Sequence, residues 1–133
     1  MTVRAQPCNP SLFAGAVSAL MAVIAGAFAA HGLKAAISPA MLAVFKTGAE
    51  YQMYHALALV LVGVMSKRGQ TDQLLRWSGG LFVIGTVLFS GSLYALALTG
   101  IAKLGMITPL GGTTFIAGWA LLAWRAWRPM QHD

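Results

Sequence analysis

The sequence predicts an all-α integral membrane protein, an antiparallel bundle of four transmembrane helices with a short interfacial helix between the first and the second. Only 9% of the 133 residues are charged and 58% are hydrophobic, whereas a soluble domain carries about 25% charged residues. So few charges cannot cover the surface of a water-soluble globule. Apolar runs of about 20 residues support the same class, because a helix of that length crosses the hydrocarbon core of a bilayer.

Start and stop signals divide the chain into five predicted helices within one membrane domain over residues 1–133. Asn-Pro at 9–10, Ser-Pro at 38–39 and Thr-Pro at 108–109 are typical helix starts, in which a capping side chain precedes a proline of fixed φ. Lys-Arg-Gly at 67–69 and glycine at 100 are typical helix ends. We expect spanning helices at about 11–33, 48–66, 74–99 and 108–127, and a helix at about 39–46 that is too short to span and lies at the interface.

The placement of lysine and arginine predicts the orientation of the bundle. One end collects Arg4, Lys67, Arg68, Arg76, Arg125 and Arg128, and the other collects Lys34, Lys46 and Lys103. Cytoplasmic loops of membrane proteins are richer in these cations, so we expect both termini in the cytoplasm. Tryptophans at 77, 124 and 127 fall at the same end, where an aromatic belt is expected.

The first apolar segment permits one competing interpretation. Arg4, the apolar run after it and Ala-Phe-Ala at 27–29 resemble a secretory signal peptide with its cleavage site. The run from Leu12 to Ala27 is slightly longer than the apolar region of most signal peptides, which favours a helix that stays in the membrane. Cleavage would leave three helices.

Small residues predict how the first helix packs. Lipid gives helices no hydrophobic reason to associate, so close approach of two backbones through small side chains matters more. An uninterrupted i, i+4 row of such residues consists of Ala14, Ser18, Ala22, Gly26 and Ala30. We expect a neighbouring helix to pack along this row.

Polar residues are predicted to gather at the extracytoplasmic end of the bundle. In an antiparallel bundle the ends of the first and third helices meet the starts of the second and fourth. This connectivity brings together His31, Glu50, Tyr51, Tyr54, His55, Tyr94, Thr108 and Gly111. We expect His55 and Tyr94 about 8–10 Å below that face of the bundle. An ionisable side chain at that depth in a membrane indicates a functional site by default.

Purely structural roles are open for the two ionisable residues of the second helix. Thr47 and Glu50 fit a capping box, in which the glutamate bonds back to the start of its own helix. A neutral His55 that bonds to a neighbouring helix is the structural alternative to a functional site. Both alternatives compete with the functional interpretation of this stretch.

The composition leaves little chemistry for catalysis. Cys8 is the single cysteine, so the chain offers neither an internal disulfide nor a cysteine metal site. The acids other than Glu50 are Asp72 and Asp133, both expected on the cytoplasmic side, so no carboxylate pair is available. We expect no enzymatic activity, no catalytic residue and no metal site. The +6 charge lies at helix ends and not in a phosphate-binding stripe, so we also expect no nucleic-acid partner.

Four ordered segments resemble a known family. They are GAFAAHGLK at 26–34, TGAEYQMYHALAL at 47–59, FSGSLYALALTG at 89–100 and ITPLGGTTFIAGWALL at 107–122. These segments are similar to domain-of-unknown-function family 423, the YgdD-like small inner-membrane proteins, which are related to the transmembrane protein 256 family. The resemblance implies a four-helix inner-membrane protein without an established activity. Its motifs add Gln52, Ser90 and Ser92 to the candidate cluster, and signal-peptide cleavage would cut the first motif.

Three functions are compatible with these features. The favoured function is that of a non-enzymatic accessory or assembly partner of a membrane complex, in contact with the lipid bilayer and with another membrane protein or further copies of itself. The alternative is a binding or transport element for a small solute, a lipid headgroup or a proton at the polar cluster. A weaker alternative is haem held by His31 and His55, because histidines on adjacent helices can ligate haem iron within a bundle. No other cofactor is expected.

Overall fold

The computed structural model describes residues 8–66 and 72–128, and every regular element in these two ranges is helical. The four long helices are α1 (Pro10–Phe28), α2 (Pro39–Met65), α3 (Gln73–Thr99) and α4 (Thr108–Trp127). A π-helical turn, Ala29–Leu33, continues α1, and a 3₁₀ turn, Ala102–Met106, lies between α3 and α4. The predicted all-helical class is confirmed.

The α2 helix contains the segment that we expected to form a separate interfacial helix. Ser38 caps it as predicted, because its hydroxyl accepts a hydrogen bond from a first-turn amide at 3.3 Å. The Thr47 hydroxyl, however, donates to the Ala43 carbonyl oxygen at 3.0 Å and does not cap a new helix. Threonine can bond within a helix and a single glycine costs only about 1 kcal/mol, so nothing at 47–48 interrupts the backbone. The prediction of a separate helix over 39–46, and of a second helix beginning at 48, is wrong.

The ends of α3 are set by local signals. Asp72 caps its start, and the carboxylate accepts hydrogen bonds from the amides of Leu74 at 3.1 Å and Leu75 at 3.3 Å. Gly100 ends the helix in the left-handed region at a φ of 70°, and its amide donates to the Leu96 carbonyl oxygen at 2.8 Å. Glycine is the usual residue at this position because it has no Cβ to clash.

Each long helix packs against the next one in chain order, and the contacting residues run in opposite directions along the two helices. The close pairs are Leu12–Gly63 and Gly15–Ala56 for α1 and α2, Gly48–Tyr94 and Val62–Gly79 for α2 and α3, and Phe89–Gly111 and Phe82–Gly118 for α3 and α4. Within the described ranges, α1 and α4 do not pack along their lengths. Helices α2 and α3 are therefore the central pair, with α1 packed on α2 and α4 packed on α3.

Several of these contacts depend on the absence of a side chain, and Gly15 and Gly111 are two examples. A Cβ at Gly15 would lie 2.8 Å from the carbonyl oxygen of Ala56, and a Cβ at Gly111 would lie 2.4 Å from the backbone nitrogen of Phe89. Atoms at these distances overlap, so any side chain would push the helices apart. Close backbone approach through small residues is the usual way in which helices associate in lipid.

The predicted packing row on α1 follows the helix contact for part of its length. Ala14, Ser18 and Ala22 are half-buried or buried, whereas Gly26 and Ala30 are exposed. A step of four residues turns about 40° around a helix with 3.6 residues per turn, so a long i, i+4 row rotates away from a straight contact. Ala25 and Ala29 occupy the inward positions after Ala22.

Three helical segments among the described residues are long and apolar enough to cross a membrane. They are Pro10–Leu33, Gln73–Thr99 and Ala102–Trp127. The 27-residue α2 is also long enough to cross. Its first half carries Lys46, Glu50, Gln52 and His55, which lower its mean hydropathy. Whether α2 can cross the membrane therefore depends on whether these polar side chains face lipid or face other helices.

Candidate functional site

A hydrogen-bonded chain joins α1, α2 and α3 through the half-buried amide of Gln52. Its Nε2 donates to the Ser18 carbonyl oxygen at 3.2 Å, and its Oε1 accepts from the Tyr94 hydroxyl at 2.7 Å. The Tyr94 ring also packs on Phe45, with ring centroids 4.7 Å apart. An amide or a phenol without partners is costly in an apolar interior. This chain of bonds therefore favours one relative position of the three helices.

His55 is buried, with 4% of its surface exposed. Its Nδ1 lies 2.7 Å from the Tyr51 carbonyl oxygen, which can only accept, so Nδ1 carries the proton. Nε2 is then the acceptor for the indole N–H of Trp119 at 3.1 Å. The imidazole stacks on the Phe115 ring with centroids 3.4 Å apart. His55 is thus a neutral histidine that uses both ring nitrogens and joins α2 to α4.

Hydroxyl groups join α3 to α4. The Ser92 hydroxyl donates to the Phe89 carbonyl oxygen at 2.9 Å, so the Thr108 hydroxyl, 2.7 Å away, donates to Ser92. Nearer the other end, the buried Ser78 hydroxyl donates to the Gly118 carbonyl oxygen at 2.9 Å. These bonds attach both the start and the middle of α4 to α3.

Two further members of the predicted cluster are enclosed in the protein. Gly111 is buried where the backbone of α4 approaches Phe89. Ser90 is 1% exposed, and its hydroxyl has no hydrogen-bond partner in the described part of the chain. Most buried hydroxyls in proteins are bonded, so Ser90 is an exception to that rule.

The structure does not bring His31 and His55 together. His31 is exposed on the π-helical turn that follows α1. The Gln52 bond to Ser18 marks the level of the cluster on α1, and His31 is 13 residues further along, about 20 Å at 1.5 Å per residue. This separation does not fit a haem held between the two histidines. Within residues 8–66 and 72–128, no three histidine, cysteine, aspartate or glutamate side chains lie together to hold a metal ion.

Glu50 and Tyr51 lie on the outside of the molecule. Glu50 is exposed in the middle of α2, so it does not act in a capping box. Tyr51 is 39% exposed, and its ring stacks on Phe89 with centroids 4.7 Å apart. Tyr54 is 53% exposed and makes an edge contact with Tyr51. These side chains line the surface and not an enclosed pocket.

The early start of α2 explains why the predicted cluster divides. Ala29 and Leu33, at the end of α1, pack in one core cluster with Phe45 of α2 and Ala97 of α3. The end of α1 therefore meets the first turns of α2. Gln52 and His55, which we expected at a helix start, lie in the middle of a helix and bond to the middles of its neighbours.

Trp119 is a member of the site that the sequence patterns did not predict. Its indole N–H is the partner of His55, whereas the sequence predicts tryptophans only at the membrane interface. Trp119 lies in the middle of α4, whereas Trp124 and Trp127 lie near its end. A tryptophan away from the membrane interface needs a partner for its N–H, and this was the available signal. Asn9 caps α1 as predicted, and its side-chain amide also donates to the Gly63 carbonyl oxygen at 2.7 Å.

An ion pair joins the start of α3 to the end of α4. The Asp72 carboxylate accepts from Nε of Arg125 as well as from the amides of Leu74 and Leu75. Burial by itself raises the pKa of Asp72, but the hydrogen bonds from Arg125 and the two amides, together with the Arg125 charge, outweigh it and lower the pKa. The carboxylate is therefore ionised at neutral pH and holds the two helix ends together.

The fold and the polar contacts define a small helical membrane protein in which several interior polar side chains form hydrogen bonds across helices. Residues 25–112 match the family described as "Protein of unknown function (DUF423)". The chain belongs to this family, and the predicted family resemblance is confirmed.

Several bacterial relatives are described as UPF0382 membrane proteins. A UPF0382 membrane protein of Staphylococcus aureus (strain bovine RF122 / ET3-1) is 52% identical over 108 residues, which cover 81% of this chain and 87% of the relative. One from Staphylococcus haemolyticus (strain JCSC1435) is 50% identical with the same coverage. The UPF0382 membrane protein YwdK of Bacillus subtilis (strain 168) is 47% identical over 81% of this chain and 88% of its own length. No solved structure matches this chain.

Proposed function

We propose that this chain is a non-enzymatic accessory or assembly subunit of a membrane protein complex. The observation that carries the proposal is that, in the described part of the chain, the buried polar side chains other than Ser90 are hydrogen-bonded within the protein. His55 uses both ring nitrogens, and Gln52 uses both its N–H and its carbonyl oxygen. Side chains bonded in this way stabilise a helix arrangement and leave little free bonding capacity for a solute or a proton. This favours a structural role over the binding or transport alternative.

Further, we propose that all four long helices cross the membrane. The packing of α2 supports this, because α1 lies antiparallel on one of its faces and α3 on another along most of its length. Gln52 and His55 lower the mean hydropathy of α2, but both are turned towards other helices and away from lipid. A helix whose polar side chains pair inside a bundle can span with fewer apolar residues than a helix surrounded by lipid.

The same proposal places the protein in the cell inner (plasma) membrane with both termini in the cytoplasm. Arg76, Arg125 and Arg128 lie at one end of the helices, and Lys34, Lys46 and Lys103 lie towards the other. Of the residues counted for orientation, Arg4, Lys67 and Arg68 lie outside the described residues. An even number of crossings keeps the termini on one side, and the positive-inside rule assigns that side to the cytoplasm.

Native mass spectrometry of the protein released from its own membranes tests the assembly role. We expect a species that contains the 14.0 kDa chain together with a subunit of different mass. Gentle extraction at several detergent concentrations controls for dissociation during release. Masses that correspond only to the isolated chain, or only to its multiples, would contradict an accessory role.

A further inference from the structure

The outward surface of α2 carries two charges within an apolar surface. We call this surface the outer α2 face, and it consists of Lys46, Glu50, Tyr54, Leu57, Leu61 and Val64, all of which are exposed. The last three are 56%, 45% and 71% exposed and are suited to contact with lipid or with another helix. The carboxylate of Glu50 is not suited to contact with lipid.

The level of Glu50 can be estimated from α1. Gln52 bonds to Ser18 across the helix pair, so these two residues lie at one level. From Ser18, α1 continues with apolar outward residues to Phe28, ten residues or about 15 Å further along. Glu50 is only two residues, about 3 Å, beyond Gln52 in the same direction. The apolar surface of α1 therefore extends about 12 Å beyond the level of the Glu50 carboxylate.

A charge at this level normally faces the interior of a bundle or pairs with an opposite charge. Glu50 faces outward. Between residues 8 and 66 and between 72 and 128, the ion pair is that of Asp72 with Arg125, so Lys46 and Glu50 have no charged partner within these two ranges. A carboxylate and an ammonium one turn apart on the same exposed face can pair diagonally with the opposite charges of a second, identical face.

The spacing of the outer α2 face fits such a partner. Successive intervals of four and three residues separate Glu50, Tyr54, Leu57, Leu61 and Val64. Alternating steps of four and three are the spacing of the central positions in a left-handed coiled coil. Lys46 then falls at a flanking position, from which side chains in coiled coils reach across to the opposite helix.

We propose that the outer α2 face is the interface of a homodimer, in which Lys46 of each copy pairs with Glu50 of the other. A two-fold axis parallel to α2 brings identical faces together. Four residues along a helix cover about 6 Å, and the flexible four-carbon stem of lysine bridges that difference in level. The leucines and the valine form the rest of the contact. The inference rests on the proposed membrane-embedded assembly role and adds a second copy as one of its components.

Disulfide cross-linking in native membranes tests the interface. In a Cys8→Ser background, Leu57→Cys and Leu61→Cys are expected to give a species of twice 14.0 kDa on mild oxidation. Val87→Cys is the matched control, because Val87 is 65% exposed on α3, away from the outer α2 face. Cross-linked dimer from neither α2 variant, or equal dimer from the α3 control, would overturn the proposal. Occupation of this face by lipid or by an unrelated helix would give that result.

Charge exchange tests the Lys46–Glu50 pairing itself. Lys46→Glu gives a face with two negative charges and Glu50→Lys a face with two positive charges, so each variant alone is expected to lose self-association. Co-expressed with different tags, the two variants are expected to form the mixed dimer at least about tenfold in excess of either homodimer. If Lys46 instead paired with Glu50 of the same helix, each variant would keep two like charges on that helix, and mixing the two variants would not restore the pair. Equal recovery of mixed and like dimers would therefore disprove pairing between copies.

A neutral variant covers the case in which a charge reversal prevents folding. Glu50→Gln in the Leu61→Cys background is expected to lose most of the cross-linked dimer, and an unchanged dimer yield would refute the ion pair. These outcomes are separate from the native mass measurement. Cross-linked dimers without an unlike subunit would support the homodimer and contradict the accessory role. An unlike subunit without cross-linked dimers would support the accessory role and contradict the homodimer.

Discussion

His55 shows how an imidazole is accommodated in the middle of an apolar helix. Its Nδ1–H donates to the Tyr51 carbonyl oxygen, and its Nε2 accepts from Trp119. With Phe115 stacked on the ring, the side chain has both polar and apolar partners. This bonding is the one expected for the structural alternative that the sequence left open, in which a neutral histidine bonds to a neighbouring helix.

At the residue scale, we expect His55→Ala to lower the free energy of unfolding by about 3 kcal/mol, because it opens a cavity beside Phe115 and leaves the Trp119 N–H without an acceptor. Denaturant titration in mixed micelles measures this change. Trp119→Phe is the comparison variant, since it removes the indole N–H and part of the ring but leaves the imidazole in place, and we expect loss of the hydrogen bond to cost about 1 kcal/mol. Unchanged stability of His55→Ala, together with altered solute or proton flux, would support a functional site instead.

At the scale of the elements, glycines set how closely neighbouring helices approach. The backbone of α4 lies against Phe89 at Gly111, where any Cβ would overlap the α3 backbone. Elsewhere on α3, a Cβ at Gly80 or Gly91 would meet nothing within 4 Å. The same residue type therefore has different roles on inward and outward faces, and only the inward ones are expected to resist substitution.

Accordingly, Gly111→Ala should lower the free energy of unfolding by about 1–3 kcal/mol, because the added methyl group forces α3 and α4 apart. Gly91→Ala is the control within the same helix pair. We expect it to be neutral or to stabilise by up to about 1 kcal/mol through higher helix propensity. Parallel unfolding titrations of the two variants measure the difference, and equal effects would argue against the close contact at Gly111.

The ion pair between helix ends predicts a pH dependence. The folded-state pKa of Asp72 is lowered by its hydrogen bonds and by the Arg125 charge, while the unfolded value is about 3.9. Its contribution to stability is therefore complete above the unfolded value and is lost as the pH falls through the folded value. We expect the melting temperature to fall below about pH 4, and less steeply in Asp72→Asn. Identical pH profiles of the two proteins would exclude this contribution.

For the whole molecule, the central question is whether α2 crosses the membrane. It packs between α1 and α3, with Gln52 and His55 turned inward and the outer α2 face turned outward. Four crossings place the two termini on one side, whereas three place them on opposite sides. Topology is therefore a direct test of the role of α2.

Reporter fusions measure that topology. We expect a fluorescent protein at the C-terminus to be fluorescent, and alkaline phosphatase at the same position to be inactive, because both report a cytoplasmic C-terminus. An N-terminal fluorescent fusion is expected to give the same result. Fluorescence at one terminus only would mean an odd number of crossings and would contradict the proposed arrangement.

Much of the fold could be predicted from sequence because its signals are local. Ser38 and Asp72 cap helices through bonds to amides two or three residues away, and Gly100 ends α3 through its own φ. The helix break predicted before Gly48 is wrong, and the cause is again a local bond. Thr47 has a local alternative, a bond to the carbonyl oxygen four residues earlier, and sequence alone does not choose between the two.

The candidate site was less predictable because its bonds join residues far apart in the chain. Gln52 bonds to Ser18 and Tyr94, and His55 bonds to Trp119, across 34, 42 and 64 positions respectively. Their depth depends on where α2 begins, so an error of nine residues at that start moved the cluster from a helix end to the middle of the bundle. Because the end of α1 meets the first turns of α2, His31 lies far from Gln52 and His55.

The amino-acid sequence by itself determined that this protein is helical and belongs in a membrane, and it determined where most helices start. Those properties follow from the scarcity of charge, the length of the apolar runs and capping bonds within one turn. Only the tertiary structure decided which polar groups meet. Distances between helices depend on the packing of small residues along their whole length, and close contacts such as Gly15 on Ala56 decide which side chains come within bonding distance.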